Sequence, residues 1–284
     1  MKFSAVKRFL VQYFESIHSI KRMAEIQHEF EISKMWGLWR DRSSNPLTRY
    51  PQRFWSQSDE DGIVDQILNR INLEDKTFIE FGCGNGLENN TLALISKGWK
   101  GGWIDGKSLS YDLPALNTKL KFQQKWVTKE NIVSLYDNAL PGSSSNLNHV
   151  GLLSLDLDGN DYHFIEEILN AGKSSDIVVL EYNARFPVGS EWVMPYDPKH
   201  VWTGGDYFGA SLTSFTNLLQ KFNYKLVACS IQGSNAFFIN EAHLDAFKDI
   251  NFSIDELYQP PLYYLIPHWG QELCPKTVLS LLKE

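Results

Sequence analysis

At 284 residues the chain is long enough for one large α/β domain with an appendage, or for two modest domains. Hydrophobic residues make up 43% and charged residues 21%, an ordinary globular composition, and the net charge of −7 excludes a body that binds nucleic acid electrostatically. Three scattered cysteines (Cys83, Cys229, Cys274) lack metal-ligand spacing, which excludes a disulfide framework and points to a reducing compartment.

No apolar run approaches the roughly 20 residues of a membrane span. Polar residues interrupt every apolar cluster near the N-terminus, so a signal peptide is not expected and a cytoplasmic location is. Residues 1–34 read as a helix. Phe3, Val6, Leu10, Tyr13, Ile17, Ile20 and Ala24 recur every three or four positions, close to a heptad seam. Lys2, Lys7, Arg8, Lys21 and Arg22 face a single early acid, Glu15. Three uses stay open for this amphipathic extension: packing on its own domain, homo-oligomer formation, or contact with an anionic membrane surface, the least favoured.

Residues 35–55 are rich in Trp, Arg, Ser and Pro and predict an irregular connector. In 56–71, Ser58 predicts a helix cap, with Asp59, Glu60 and Asp61 in the first turn and Ile63, Val64, Ile67, Leu68 and Ile71 on the buried side.

Residues 77–105, TFIEFGCGNGLENNTLALISKGWKGGWID, organise the chain. An apolar strand ends in Glu80. Gly82, Gly84 and Gly86 follow, alternating with Cys83 and Asn85. A helix over 87–97 closes at Gly98, and a second strand ends in Asp105. This is the strand–turn–helix–strand unit of a doubly wound sheet, with glycines where backbone amides must approach a ligand and an acid placed for ribose hydroxyls. The spacing is G-x-G-x-G, so neither the dinucleotide fingerprint G-x-G-x-x-G nor a P-loop fits. An acid two residues ahead of the glycines suits a cationic ligand such as the amino group of S-adenosylmethionine.

After a helix or loop to about residue 120, Phe122 to Val127 predict a third strand, with Thr128 at the ligand-binding edge. The fourth strand spans 150–156 and runs into LDGNDYH. A helix over 164–170 and a fifth strand over 177–180 follow, the latter ending in Glu181, Tyr182 and Asn183. Asp156, Asp158, Asn160, Asp161 and His163 thus share one sheet edge with Glu181 and Asn183. Residues 184–205 carry Trp192, Tyr196, His200 and Trp202 among prolines and glycines, which predicts a lid or binding loop. A helix over 211–222 and two strands, 224–229 and 235–240, complete the pattern. The tail, 241–284, shows mixed helix signals and a Pro260-Pro261 break.

Taken together, EFGCGNGLENNT, GWKGGWIDG, LDLDGNDY, LEYNA and GASL…GSNAFF resemble the FkbM-like class I methyltransferases over about residues 54–240. The resemblance implies an α/β, Rossmann-like seven-stranded methyltransferase sheet at 54–240. An N-terminal helical extension and connector (1–53) would precede it and a C-terminal extension (241–284) would follow. It implies S-adenosylmethionine as methyl donor and a hydroxyl acceptor on a glycan or small natural product. Glu80, Gly82, Gly84, Asn85 and Gly86 would line the methionine end, Asp105 would hold the ribose, Val127 and Thr128 would flank the adenine, and Asp156 would sit at the reaction edge.

A hydroxyl acceptor must lose a proton. His163 is the natural general base, with Asp158 and Asp161 as rivals. Asp158, Glu181 and Asn183 are also oxygen ligands of the kind that hold Mg²⁺. A non-catalytic cofactor-binding or scaffold protein, assembling through the N-terminal helix, is the alternative function. A nucleic-acid methyltransferase is disfavoured by the acidic body and by LDLDGNDY standing where Asn/Asp-Pro-Pro-aromatic would be.

Overall fold

A computed structural model of the chain describes residues 2–115, 117–142 and 146–263, together with the isolated positions 275, 279 and 282. Cys274 and most of the tail lie outside the described residues. The strands are β1 (Thr77–Phe81), β2 (Lys100–Asp105), β3 (Leu120–Gln124), β4 (His149–Leu155), β5 (Ser174–Glu181), β6 (Tyr224–Cys229) and β7 (Asn235–Asn240). They form one seven-stranded sheet in the order β3-β2-β1-β4-β5-β7-β6. The first five run parallel, and β7 enters antiparallel between β5 and β6. This is the Rossmann-like sheet with a terminal hairpin that the sequence implies. The central strands β1 and β4 are buried on both faces, as their continuous apolar runs require, whereas the edge strand β3 is half-exposed.

The strand order reverses between β1 and β4, both of which hydrogen-bond along their length. Ligands of open α/β sheets bind at the carboxyl ends of strands flanking such a reversal. The chain therefore delivers Glu80, Asp105, Asp156 and Glu181 to one rim.

The helices are α1 (Lys2–Arg42), α2 (Glu60–Leu68), α3 (Leu92–Ser96), α4 (Ile132–Asp137), α5 (Asp161–Asn170), α6 (Leu212–Gln220) and α7 (Ile254–Leu257). Several bounds differ from the sequence expectation for identifiable reasons. Helix α1 continues through Trp36 and Trp39, where a connector is expected. Ile32, Met35, Trp36 and Trp39 lie on one helical face and pack with Ile231 and Leu262. Helix α3 starts at Leu92 rather than near 87: Thr91 is its N-cap residue, and Asn89 Oδ1 holds the preceding turn by accepting from the amides of Thr91 (3.2 Å) and Leu92 (2.9 Å). At α2 the Ser58 hydroxyl is not the cap. The helix begins at Glu60, and no side chain caps it.

The connector and the segment after β7 both join the core. Asn45 Nδ2 donates to Val227 O (2.7 Å), and Leu47 is fully buried. Phe247, Ile250 and Leu257 belong to the same apolar cluster as the sheet. The far part of α1 does not. Eleven of its large apolar side chains, from Val6 to Phe30, are exposed. They include Phe9, Val11, Phe14, Met23 and Ile26, which lie off the expected seam and widen it. Among the described residues no helix is long and apolar enough to cross a membrane.

Candidate functional site

The rim carries a cavity of about 310 Å³, walled by Glu80, Gly82, Gly84, Asp105, Trp126, Val127, Asp156 and Asp158 and roofed by His200 and Trp202. A second chamber of about 590 Å³ adjoins it, lined by Glu181, Arg185, Asp206, Phe208 and Tyr263. The two share Gln57, Glu88, Asp156, Asp158 and Trp202 as a common wall.

The glycine loop is built by its backbone. Gly82 adopts φ 91°, and a Cβ there would fall 1.7 Å from the Asp156 carbonyl oxygen. No other residue lets β1 and β4 emerge side by side at this point. Gly84 also has positive φ (58°), but a Cβ would meet nothing and would point into open space. Its amide donates to Asp105 Oδ2 (2.8 Å), and the Lys107 amide donates to Asp105 Oδ1 (2.7 Å). Each oxygen keeps a lone pair for a further donor. Glu80 is 1% exposed and accepts from the Asn90 amide (2.9 Å) and from Thr91 Oγ1 (2.5 Å). Trp103 Nε1 in turn donates to Thr91 Oγ1 (2.9 Å). Burial pushes the Glu80 carboxyl up to about 7, against the pull of these hydrogen bonds.

Asn85, Gly86 and Thr128 do not line the cavity. Asn85 is exposed and caps the loop by accepting from the Leu87 amide (3.0 Å). Gly86 packs under Leu109, Tyr111 and Trp103. Thr128 donates its amide to Asn131 Oδ1 (2.9 Å) ahead of α4.

Two of the three proton-acceptor candidates are structural. His163 Nε2 donates to the Met194 carbonyl (2.8 Å), between the rings of Tyr162 and Tyr196, and lines neither chamber. It anchors the lid. Asp161 is fully buried and accepts from the amides of Leu157 (2.8 Å) and Gly159 (3.0 Å), which fixes the turn after β4. Burial raises its carboxyl to about 6. Asp158 remains. It holds the left-handed region at φ 55°, uncommon for a non-glycine residue, and faces both chambers. Burial raises its carboxyl and the nearby Lys107 ammonium counteracts it.

The expected oxygen-ligand set is also corrected. Asn183 is fully buried and committed to the lid: Nδ2 donates to the carbonyls of Asp206 (2.8 Å) and Phe208 (3.0 Å), and Oδ1 accepts from the Arg185 amide (3.1 Å). Asp156 takes its place. One oxygen from each of Asp156, Asp158 and Glu181 lies within 4.8 Å of the others. Asp156 and Glu181 sit well above the usual carboxylate range, first through burial and then through the surrounding acids.

The lid is stitched down over 194–200. Asn160 Nδ2 donates to Asp197 O (2.8 Å), Trp126 Nε1 to Pro198 O (2.7 Å), and the Lys129 amide to Tyr196 Oη (3.0 Å). His200 Nε2 reaches the Asp158 carbonyl (3.2 Å). Beyond it, residues 201–207 are exposed. Trp126 and Asn235 are cavity residues that the sequence reading did not assign to the site, whereas His200 and Trp202 come from the expected lid. For Trp126 the signal was its place beside Val127, and for Asn235 the GSNAFF segment.

A second acid cluster lies below the floor. Asp61 Oδ2 accepts from the amides of Phe54 (2.6 Å), Trp55 (2.8 Å) and Ser56 (3.0 Å). Glu60 accepts from the Ser58 amide (2.7 Å), Gln232 Nε2 (2.6 Å) and Asn235 Nδ2 (3.2 Å), and Asp59 from the Ile231 amide (3.0 Å).

No family model and no curated protein matches the chain. Among solved structures, the chain is similar to an S-adenosylmethionine-dependent methyltransferase from Clostridium acetobutylicum ATCC 824. The match is 10% identical with a TM-score of 0.33, covering 64% of this chain and 90% of that one. It is also similar to the DhpI–SAH complex, at 13% identity and a TM-score of 0.28, covering 73% and 94%.

Proposed function

We propose that this chain is an S-adenosylmethionine-dependent methyltransferase that methylates a hydroxyl on a glycan or small natural product. The observation that carries the reading is the electrostatic character of the cavity. At the switch point of the sheet, an open glycine turn meets a lining in which five acids (Glu80, Glu88, Asp105, Asp156 and Asp158) face a single lysine, Lys107. Such a lining suits a ligand bearing an ammonium and a sulfonium and disfavours a pyrophosphate. S-adenosylmethionine, when bound, supplies an electrophilic methyl group.

The residues present fit that group. Asp105 has lone pairs left for ribose hydroxyls after its two backbone bonds. Val127 and Trp126 offer apolar surface on one side of the cavity. Glu80, near neutrality when the cavity holds no cation, gains charge beside one, so binding releases a proton. Asp158 is the acceptor's proton acceptor: it alone of the three candidates faces both chambers. Its raised carboxyl moves closer to the neutral range in which general bases work best. Trp202, in the shared wall, and Phe208 give the second chamber faces on which a sugar ring can stack. Positioning acceptor and donor across that wall is the larger part of catalysis.

The test is transfer of labelled methyl to a panel of polyhydroxylated acceptors. Asp158→Asn should lower turnover by about 10²- to 10⁴-fold, while His163→Gln should leave turnover within about threefold of wild type. An unaffected Asp158→Asn enzyme would remove Asp158 from the chemistry. No transfer from any acceptor, with no cofactor binding, would leave the scaffold reading. The exposed apolar face of α1 favours assembly with a second copy through this helix, and that role is compatible with catalysis.

A further inference from the structure

The three carboxylates in the shared wall come from different strand ends. Asp156 and Asp158 follow β4, and Glu181 closes β5. One oxygen of each lies within 4.8 Å of the other two. Two further observations bear on this cluster, which unlike the Asp59–Asp61 cluster opens onto the chambers. Glu181 Oε2 is buried with no hydrogen-bond partner. Asn235, paired directly across the sheet from Glu181, is 3% exposed, and its Oδ1 also has no partner. Residues opposite one another on paired strands present their side chains to the same face. Asn235 also lines the cavity that Asp156 lines. An unpartnered buried oxygen is costly, and here two of them converge on a wall of carboxylates. The cations nearby, Lys107 at Asp158 and Arg185 in the second chamber, leave both of these oxygens without a partner.

We propose that Asp156, Asp158 and Glu181 form a binding site for a hard divalent cation of the Mg²⁺ or Mn²⁺ class, set in the wall between the two chambers. All the donors are oxygens, with no thiolate or imidazole among them, which selects hard cations over zinc or copper. Three protein oxygens leave about three of six octahedral positions for water or ligand. Asp158 opens onto both chambers, giving a hydrated ion a way in. With one oxygen of Asp158 on the ion, its second is left for the acceptor proton. Glu181 lines only the second chamber, so the free positions serve the acceptor side. Resting on the methyltransferase reading, this narrows the acceptor to one that offers two adjacent oxygens, a vicinal diol or a hydroxy-carbonyl group.

The test is Mn²⁺ titration of the full chain without methyl donor, followed by the paramagnetic signal of free Mn²⁺ and by thermal shift. One site per chain is expected, with Mg²⁺ competing. Glu181→Gln and Asp158→Asn should each weaken it by at least about tenfold. Glu191→Gln, an exposed acid paired with Asn217, should not. Gln keeps the shape of Glu181 and Asn that of Asp158, so both variants should fold, and their melting curves check this. No saturable Mn²⁺ binding, or binding that neither variant weakens, overturns the site. S-adenosylmethionine binding in chelator is measured alongside: if it persists while Mn²⁺ does not bind, the cation site fails and the methyltransferase reading stands.

Discussion

Two acid clusters lie one above the other at the same sheet edge, and they use carboxylates in opposite ways. In the lower one, Asp59, Glu60 and Asp61 are enclosed and each accepts from protein donors, although Asp59 Oδ2 and Asp61 Oδ1 have no partner. Asp61 gathers three consecutive backbone amides, and Glu60 gathers Gln232, Asn235 and an amide. In the upper one, Asp156, Asp158 and Glu181 face the chambers. The lower cluster folds the connector and the β6–β7 turn onto the sheet. The upper one opens onto the chambers, so its acceptor capacity is what a ligand can reach. Residue type does not separate them; access to the chambers does.

The largest expected effect is on the lower cluster. Asp61→Ala strands three backbone amides, at roughly 1 to 3 kcal/mol each. Chemical denaturation should show a loss of at least about 3 kcal/mol. An effect below about 1 kcal/mol would mean that the amides find water instead. Next comes the upper cluster. Glu181→Gln should leave stability unchanged, because burial already favours the uncharged form of Glu181 and the amide keeps its shape. A melting temperature well below wild type would make the cluster structural after all.

Asp59 sharpens the contrast through pH. Burial, with Glu60 beside it, raises its carboxyl from 3.8 to about 8. The folded chain therefore keeps a proton that the unfolded chain releases above its ordinary range. That contribution is full below about 4 and fades as pH rises toward 8. Asp59→Asn, which keeps an acceptor for the Ile231 amide, should flatten this part of the pH–stability curve and be most stabilising near pH 8. A curve parallel to wild type would contradict it.

The smallest effect belongs to the lid. His163→Ala removes one hydrogen bond to Met194, worth about 1 kcal/mol. It should show mainly as faster limited proteolysis within 194–207 rather than as lower global stability.

The frame of this site was legible in the sequence because its signals are local. The glycine turn, Glu80 and Asp105 belong to one contiguous unit, and the apolar strands and their closing acids follow from periodicity. What was not legible depends on partners distant in sequence. His163 has the right chemistry for a base, but its partner is a lid carbonyl 31 residues on. Asn183 looks like a ligand beside Glu181 until its amide is seen holding Asp206 and Phe208. Asp156 and Asp158 reach the cluster from the turn after β4, and Glu181 joins them only because β5 lies beside β4, a pairing distant in sequence. Helix α1 outran its expected end for the same reason: the face of Trp36 and Trp39 meets Ile231, far along the chain.

The most direct test of the central claim is calorimetric binding of S-adenosylmethionine to the full chain and to Gly84→Asp, with NAD as control. Gly84 has free space at its Cβ, and aspartate tolerates its left-handed backbone, so the variant should fold while placing a carboxylate on the cavity wall beside Asp105. The account predicts saturable binding of S-adenosylmethionine but not NAD to wild type, proton release near pH 7, and loss of at least about 1.4 kcal/mol, a factor of ten, in the variant. Absent binding to wild type, or equal binding to both proteins, would contradict it.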